Sequence, residues 1–200
     1  MRILCFGGSF NPIHHGHLVV ARAAAEAAGF DQVRLIPSCA PPHKPHSPLA
    51  GPADRLAMTR LAAAPDPLFH VDNLELARPG PSFTIDTIRQ LHAAGLPRVT
   101  WLIGADMLPT LHTWHSAEAL LREADFLVAV RPGVIIEPAA IAAPFRHLAT
   151  ALLQTPQLDI SSTDIRHRLA SGRSIEYLTP PAVVRYISER NLYRDAPALP

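Results

Sequence analysis

Two histidines near the N-terminus have the type and spacing to bind an anion. Residues 7–17 read Gly-Gly-Ser-Phe-Asn-Pro-Ile-His-His-Gly-His, so that His14 and His17 lie three positions apart. If a helix begins near His15, both imidazoles point from its first turn to the same side and can reach one anion together. The free N–H groups and the positive dipole end of that helix also favour an anion. Phosphate is the ligand that this pattern indicates.

Small residues around the histidines suit the same ligand. Gly7 and Gly8 let the chain turn sharply while their N–H groups approach phosphate oxygens, and the Ser9 hydroxyl can donate to the same group. Gly16 leaves the backbone open to a close-lying ligand. We therefore expect the whole turn to serve one anionic ligand.

A strand and a helix must position this turn. The apolar residues 3–6 predict a buried strand, residues 18–28 predict an Ala-rich helix closed by Gly29, and residues 32–36 predict a second strand. A strand, a helix and a second strand in this order are typical of a parallel α/β sheet, whose ligands bind at the carboxyl edge of the strands. The sequence therefore predicts an α/β fold with a phosphate-binding crevice at that edge.

Later segments continue the α/β pattern. Apolar and β-branched residues predict strands at 69–71, 99–103 and 126–130. The spacing of apolar residues and the capping signals predict helices at 54–64, from Ser82 as N-cap, at 116–122 and at 180–191. Residues 111–115 predict a short loop, and residues 134–153 are apolar and interrupted by proline, with no readable chemistry.

A second candidate site lies about 150 residues further on. Residues 160–166 read Ile-Ser-Ser-Thr-Asp-Ile-Arg. Hydroxyl groups at a helix start combine side-chain donors with the free N–H groups of the first turn, and Arg166 lies one turn further on, where it can clamp phosphate oxygens. An ordinary serine N-cap is the simpler alternative.

The two motifs together resemble a known family. Residues 7–17 are similar to the opening signature of nucleotidyltransferases with a His-x-Gly-His motif, and residues 160–166 resemble the Ile-Ser-Ser-Thr-x-Ile/Val-Arg signature of their small members. From Gly7 to Arg194, the ordered motifs resemble those of bacterial nicotinate-nucleotide adenylyltransferases. Asn11 stands where many members carry aspartate, and His15 fills a variable position.

The resemblance implies a fold and a reaction. The expected fold is a Rossmann-like doubly wound parallel sheet in a single nucleotidyltransferase domain at 1–194, followed by a flexible tail at 195–200. The expected reaction joins ATP and nicotinate mononucleotide into nicotinate adenine dinucleotide and releases pyrophosphate. The mononucleotide phosphate is already an anionic nucleophile, so we expect direct in-line attack without a covalent intermediate. Mg²⁺ would bind through the ATP phosphates, because the sequence offers no carboxylate cluster to hold it.

The resemblance also implies roles at the triphosphate. The expected catalytic residues are His14, His17, Lys44 and Arg166. The expected ATP-binding residues are Gly7, Gly8, Ser9, Phe10, Gly16, Gly104, Asp106, Arg131, Ile160, Ser161, Ser162 and Thr163. Asp106 follows a predicted strand and can accept hydrogen bonds from ribose hydroxyls, although a helix N-cap is the competing role. Arg131 opens an Arg-Pro-Gly sequence that is also typical of a plain turn.

The acceptor, nicotinate mononucleotide, is expected to bind Ser9, Lys44, Thr84, Trp114 and His115. Lys44 is the only lysine of the chain and lies in a proline-rich segment that is otherwise typical of a solvated linker. Thr84, at a predicted helix start, can offer its hydroxyl and backbone N–H to the nicotinate carboxylate. Trp114 gives a face on which the pyridine ring can stack, with a place in the core as the alternative. His115 would contribute its backbone.

Composition limits the other functions. The net charge of +1 over 200 residues gives no broad attraction to nucleic acid or to an anionic membrane. No apolar run is long enough to cross a bilayer and no secretion signal is recognisable, so a cytoplasmic protein is expected. Cys5 and Cys39 are expected to be reduced thiols. The sequence leaves the oligomeric state open, a homo-oligomer being possible.

Three other functions stay open at this point. A sibling transferase would use phosphopantetheine, nicotinamide mononucleotide or a polyol phosphate as acceptor, none of which carries an acidic pyridine ring. A zinc hydrolase would use His14, His15, His17 and His43 as ligands, without paired carboxylates or cysteines to complete the site. A nucleotide sensor without catalysis would keep the same fold.

Overall fold

A parallel six-stranded sheet forms the centre of the molecule. The computed structural model describes residues 1–40, 50–130, 136–150, 152–156 and 158–194. The strand order β3-β2-β1-β4-β5-β6 is that of doubly wound dinucleotide-binding folds, and each neighbouring pair is parallel. The strands are β1 (Ile3–Gly8), β2 (Gln32–Pro37), β3 (Phe69–Val71), β4 (Thr100–Gly104), β5 (Asp125–Val130) and β6 (Leu152–Gln154). The expected Rossmann-like doubly wound sheet is confirmed.

Helices cover both faces of this sheet. The α-helices are α1 (His15–Ala28), α2 (Pro52–Ala63), α3 (Thr84–Ala93), α4 (Ala117–Glu123), α5 (Ser162–Ala170) and α6 (Pro181–Glu189). Short 3₁₀ helices span Ala105–Thr113, Pro138–Ala140 and Ala143–Thr150. Within the described ranges, no helix combines the length and apolar character that a membrane span needs.

The core has two halves because side chains alternate across the strands. Cys5 and Trp101 point to one face, where they pack against α3 and α4. Leu4 and Leu102, their neighbours in the chain, point to the other face and pack against α1, α2 and α6. Helices therefore pack against both faces of the sheet.

The first crossover forms for reasons that are readable in the sequence. Ala21, Ala24 and Ala25 are fully buried on α1, and their small side chains let this helix lie close to the sheet. Gly29 ends the helix in the left-handed conformation (φ 68°), which costs glycine little. The predicted strand, helix, glycine cap and second strand are confirmed in this part of the chain.

Strand β1 is longer than predicted. Gly7 and Gly8 continue the ladder and pair in register with Ile36 and Pro37 of β2. The expectation that both glycines belong to the turn is therefore wrong, because β2 offers them backbone partners that sequence patterns do not reveal. The turn begins at Ser9 instead.

Two other local predictions were wrong. Ser82 does not cap α3, which begins at Thr84 with Phe83 in the cap position. The Ser82 hydroxyl instead accepts the backbone N–H of Cys39 at 2.8 Å. The predicted loop at 111–115 is largely the end of the 3₁₀ helix Ala105–Thr113.

The segment without readable chemistry, at 134–153, contains part of an edge strand. β6 pairs with β5 through Leu152, Leu153 and Gln154 only. Three residues are too few to show the alternation of apolar and polar side chains by which a strand is recognised.

Both cysteines are free thiols, as predicted. Cys5 lies in the core, where burial raises its pKa to about 12. Its thiol therefore stays protonated at neutral pH and behaves as a small apolar side chain. Cys39 is half-buried beyond the end of β2.

Candidate active site

An open cleft of about 1300 Å³ lies at the carboxyl edge of the sheet, where the strand order reverses between β1 and β4. In doubly wound folds ligands bind at this switch point. The cleft brings together most of the site residues predicted from the sequence: Gly7, Gly8, Ser9, His14, Gly16, His17, Thr84, Gly104, Asp106, Trp114, His115, Ile160, Ser161, Ser162, Thr163 and Arg166.

Three predicted site residues need separate mention. Lys44 and Arg131 lie outside the described residues. Phe10 is described but only 1% exposed, and its ring packs edge-on against the rings of Phe6 and His17, with centroids 5.7 and 5.2 Å away. Its ring is therefore part of the core, and a contact between Phe10 and ATP stays a prediction that only its backbone could meet. The ring supports His17.

The two histidines of the first motif lie against each other. His14 occupies the N-cap position of α1 and His17 its first turn, and their rings stack with centroids 3.7 Å apart. The backbone N–H of His14 donates to Nδ1 of His17 at 3.3 Å. Since Nδ1 accepts this bond, Nε2 carries the proton of the neutral ring. The predicted placement of both imidazoles on one side is confirmed.

The two sequence motifs meet at the turn between β1 and α1. The Ser162 hydroxyl donates to the carbonyl of Pro12 at 2.9 Å, and the Arg166 guanidinium donates to the carbonyl of Asn11 at 2.9 Å. Both bonds join residues about 150 positions apart in the chain. Burial lowers the pKa of Arg166, but a guanidinium keeps its charge at neutral pH. A permanent cation therefore lies beside the histidine turn.

The C-terminal segment holds the same turn from a third direction. The Thr179 hydroxyl donates to the carbonyl of Ile13 at 2.7 Å. Oδ1 of Asn11 accepts the Tyr193 hydroxyl at 2.8 Å and the backbone N–H of Ala50 at 2.9 Å. Because Asn11 is only 1% exposed, its neutral amide avoids the cost of burying a carboxylate at this position.

The hydroxyl residues at the start of α5 have different partners. Ser161 is the N-cap, and its oxygen accepts the backbone N–H of Asp164 at 3.0 Å. The simpler alternative, an ordinary serine cap, is therefore correct for Ser161. Ser162 instead binds the histidine turn, as described above. The Thr163 hydroxyl accepts a longer bond of 3.3 Å from Arg166.

Glycine is required at two places where groups approach each other closely. A Cβ on Gly7 would collide with the indole of Trp101, and a Cβ on Gly104 would collide with the carboxylate of Asp106. Gly104 holds the N-cap position of the 3₁₀ helix, so the competing cap role for Asp106 is wrong. Asp106 is exposed at the end of β4, where its carboxylate is accessible to a hydroxyl-bearing ligand.

Aromatic side chains gather at the start of α3. Thr84 is the first residue of the helix, and Phe83 precedes it. The ring of His115 stacks on Phe83 with a centroid distance of 4.2 Å and an angle of 23° between planes. Trp114 is half-buried, with one part packed on the core and another part lining the cleft. The His115 side chain, for which no role was predicted, therefore takes part in shaping this end of the cleft.

Two buried charged residues beside the cleft were not predicted from the sequence. Arg55 of α2 is fully buried and Glu75, in the turn after β3, is 4% exposed. The buried face of α2 includes Arg55, Met58 and Ala62. An arginine on the apolar face of a helix is the signal by which Arg55 could have been found in the sequence.

Comparison with known proteins gives the family. The cytidylyltransferase-like family model matches residues 5–168, and the chain belongs to this family. A probable nicotinate-nucleotide adenylyltransferase of Roseiflexus sp. is 45% identical, over 94% of this chain and 96% of its own. One of Yersinia enterocolitica is 42% identical, over 94% of each chain. Within the family, the chain thus belongs with the nicotinate-nucleotide adenylyltransferases.

Solved structures support the same fold. The nicotinic acid mononucleotide adenylyltransferase of Plasmodium falciparum, complexed with NaAD, superposes with a TM-score of 0.77 at 20% identity, over 96% of this chain and 98% of its own. A putative nicotinate-nucleotide adenylyltransferase of Vibrio parahaemolyticus gives a TM-score of 0.70 at 21% identity, over 98% of each chain.

Proposed function

We propose that this protein transfers the adenylyl group of ATP to nicotinate mononucleotide, forming nicotinate adenine dinucleotide and pyrophosphate. The observation that carries the proposal is the meeting of His14 and His17 with Ser162 and Arg166 at one end of the cleft. The names of the relatives, which cover almost the whole chain, support this choice among adenylyltransferases.

The reaction needs alignment of two anions more than acid–base chemistry. The mononucleotide phosphate attacks the α-phosphorus of ATP in line, and no covalent enzyme intermediate is needed because this phosphate is already a nucleophile. Negative charge grows on the leaving pyrophosphate. The Nε2–H of His17, the His14 ring and the Arg166 guanidinium lie where they can stabilise that charge. We assign the same task to Lys44.

The adenosine half of ATP is proposed to lie along the ends of β1 and β4. Gly7 and Gly104 line the cleft there, and the exposed Asp106 carboxylate can accept the ribose hydroxyls.

The acceptor is proposed to bind at the start of α3. Helix α3 has ten residues, and its positive N-terminal end at Thr84 favours the nicotinate carboxylate. The pyridine ring would stack on Trp114, which lines the same cleft as Thr84. Such stacking contributes about 0.5–1.5 kcal/mol beyond the burial of apolar surface. The amide of nicotinamide gains less from a helix dipole because it carries no charge.

Mg²⁺ is proposed to enter with ATP. Of the carboxylates lining the cleft, Glu75 is buried and hydrogen-bonded, whereas Asp106 is exposed. Across the described residues, no three His, Cys, Asp or Glu side chains form a cluster that could hold a metal ion. These residues fit an ion that is carried by the triphosphate oxygens, where it neutralises charge.

A zinc hydrolase is less well supported. Zinc ligands direct their nitrogen lone pairs at one point, whereas the rings of His14 and His17 stack face to face, and Nδ1 of His17 accepts a backbone N–H. His43, another proposed ligand, lies outside the described residues.

Pyrophosphate release tests the proposal. The purified protein is incubated with ATP and Mg²⁺, together with nicotinate mononucleotide, nicotinamide mononucleotide or phosphopantetheine. We expect release with nicotinate mononucleotide, at least about tenfold faster than with the amide. Equal rates with both pyridines would refute the assigned acceptor site. Nucleotide binding without release would favour a sensor.

A further inference from the structure

Arg55 joins parts of the chain that are distant in sequence. Its Nε donates to the carbonyl of Ala50 at 3.0 Å, and one terminal nitrogen donates to the carbonyls of Ser9 at 2.8 Å and Ser38 at 2.5 Å. The other terminal nitrogen donates to the carbonyl of Cys39 at 2.9 Å. Among the described residues, the partners of this fully buried guanidinium are four backbone carbonyls, and one of them belongs to the proposed phosphate site.

Glu75 has a matching place at the start of α3. Its carboxylate accepts the Thr87 hydroxyl at 2.6 Å, and the nearby Ser82 hydroxyl lowers the pKa of this carboxylate. Ser82 and Thr87 lie on either side of Thr84, the residue proposed to face the nicotinate carboxylate. The bond to Thr87 therefore ties Glu75 to the first turn of α3.

Cys39 connects the two buried charges through its backbone. Its carbonyl accepts from Arg55, and its N–H donates to the hydroxyl of Ser82, which lies near the Glu75 carboxylate. A series of buried and partly buried polar contacts thus runs from Ser9 to Thr87. Such a chain resists deformation, because breaking any link leaves a buried polar group without its partner.

We propose that Glu75 is a positioning residue for the acceptor mononucleotide. It holds Thr84 at a fixed distance from the phosphate-binding turn at Ser9, with Arg55 as the connecting group. The inference rests on the proposed function, since it assumes that Thr84 receives the nicotinate carboxylate. It adds a residue that does not itself touch the reacting atoms.

Two substitutions test this role through the kinetics of both substrates. Thr87→Val keeps the side-chain shape and removes the donor to Glu75, and Glu75→Met removes the acceptor of that bond. We expect each variant to raise KM for nicotinate mononucleotide about tenfold and to leave KM for ATP within about twofold. Thr150→Val and Glu189→Met are matched controls at exposed positions and should change neither constant.

A second measurement is independent of activity. Amide hydrogen exchange at 82–86 in Thr87→Val should be at least about tenfold faster than in the native protein, with α6 unchanged. An equal rise of both KM values, an unchanged KM for the mononucleotide, or unchanged exchange at 82–86 would overturn the inference. If the native protein releases no pyrophosphate, the proposed function fails, and the exchange measurement still decides whether Glu75 holds the helix start.

Discussion

Arg55→Met is expected to lower the free energy of unfolding by about 3–5 kcal/mol, the range for breaking a buried charged network. The native guanidinium makes four hydrogen bonds to carbonyls while fully buried. Bonds from a charged donor contribute about 1.5–3 kcal/mol each, or roughly 6–12 kcal/mol together. Desolvation of the cation, which also lowers the pKa of Arg55, offsets several kcal/mol of this gain.

Urea unfolding at neutral pH measures the loss, with fluorescence and far-UV circular dichroism as independent probes. Arg60→Met is the matched control, because Arg60 lies on the same helix and is exposed. It should change stability by no more than about 0.5 kcal/mol. Arg55→Lys should fall between the two, since an ammonium cannot reach four carbonyls around a planar group. A loss below about 1 kcal/mol in Arg55→Met would refute the reasoning.

Other predictions concern the cleft. His17→Ala should lower kcat at least about a hundredfold, because one transition-state contact is lost. His70→Ala, at an exposed position of β3, is the control and should leave kcat unchanged. Near-native turnover of His17→Ala would contradict the role assigned to His17. Trp114→Ala should weaken binding of nicotinate mononucleotide more than binding of ATP in calorimetric titrations, and equal losses would argue against stacking. Burial raises the pKa of Glu75 above its usual value of 4.5, so its contribution to stability is present at low pH and is lost as the pH rises through the folded-state pKa. Unfolding experiments should therefore find Glu75→Gln gaining stability relative to the native protein as the pH rises above 4.5, and a difference that stays constant with pH would refute this.

The parts of the fold with a strong sequence signal were predictable. The Ala-rich helix, its Gly29 cap and the flanking strands follow from local patterns that no distant contact overrides. β6 was not predictable, because it has three residues and exists only through its pairing with β5. Serine is a common helix cap, yet the Ser82 hydroxyl accepts the backbone N–H of Cys39 and lies near Glu75 instead of capping α3.

Some features of the candidate site could likewise be predicted from the sequence, and others could not. The stacked rings of His14 and His17 follow from helical spacing, so they could be anticipated. The burial of Phe10 and the hydrogen bonds of Arg55 could not, since both depend on residues that only the folded chain brings near. Sequence patterns reveal local geometry, whereas contacts across the sheet edge appear only in the structure.

The account depends on His17 and Arg166 acting on one triphosphate, and a double-mutant cycle on kcat/KM for ATP tests this most directly. Groups that stabilise the same leaving pyrophosphate are coupled, so the combined loss in His17→Ala/Arg166→Ala should be at least about tenfold smaller than the product of the single losses. Single losses that multiply without coupling would contradict the claim that the two motifs serve one ligand.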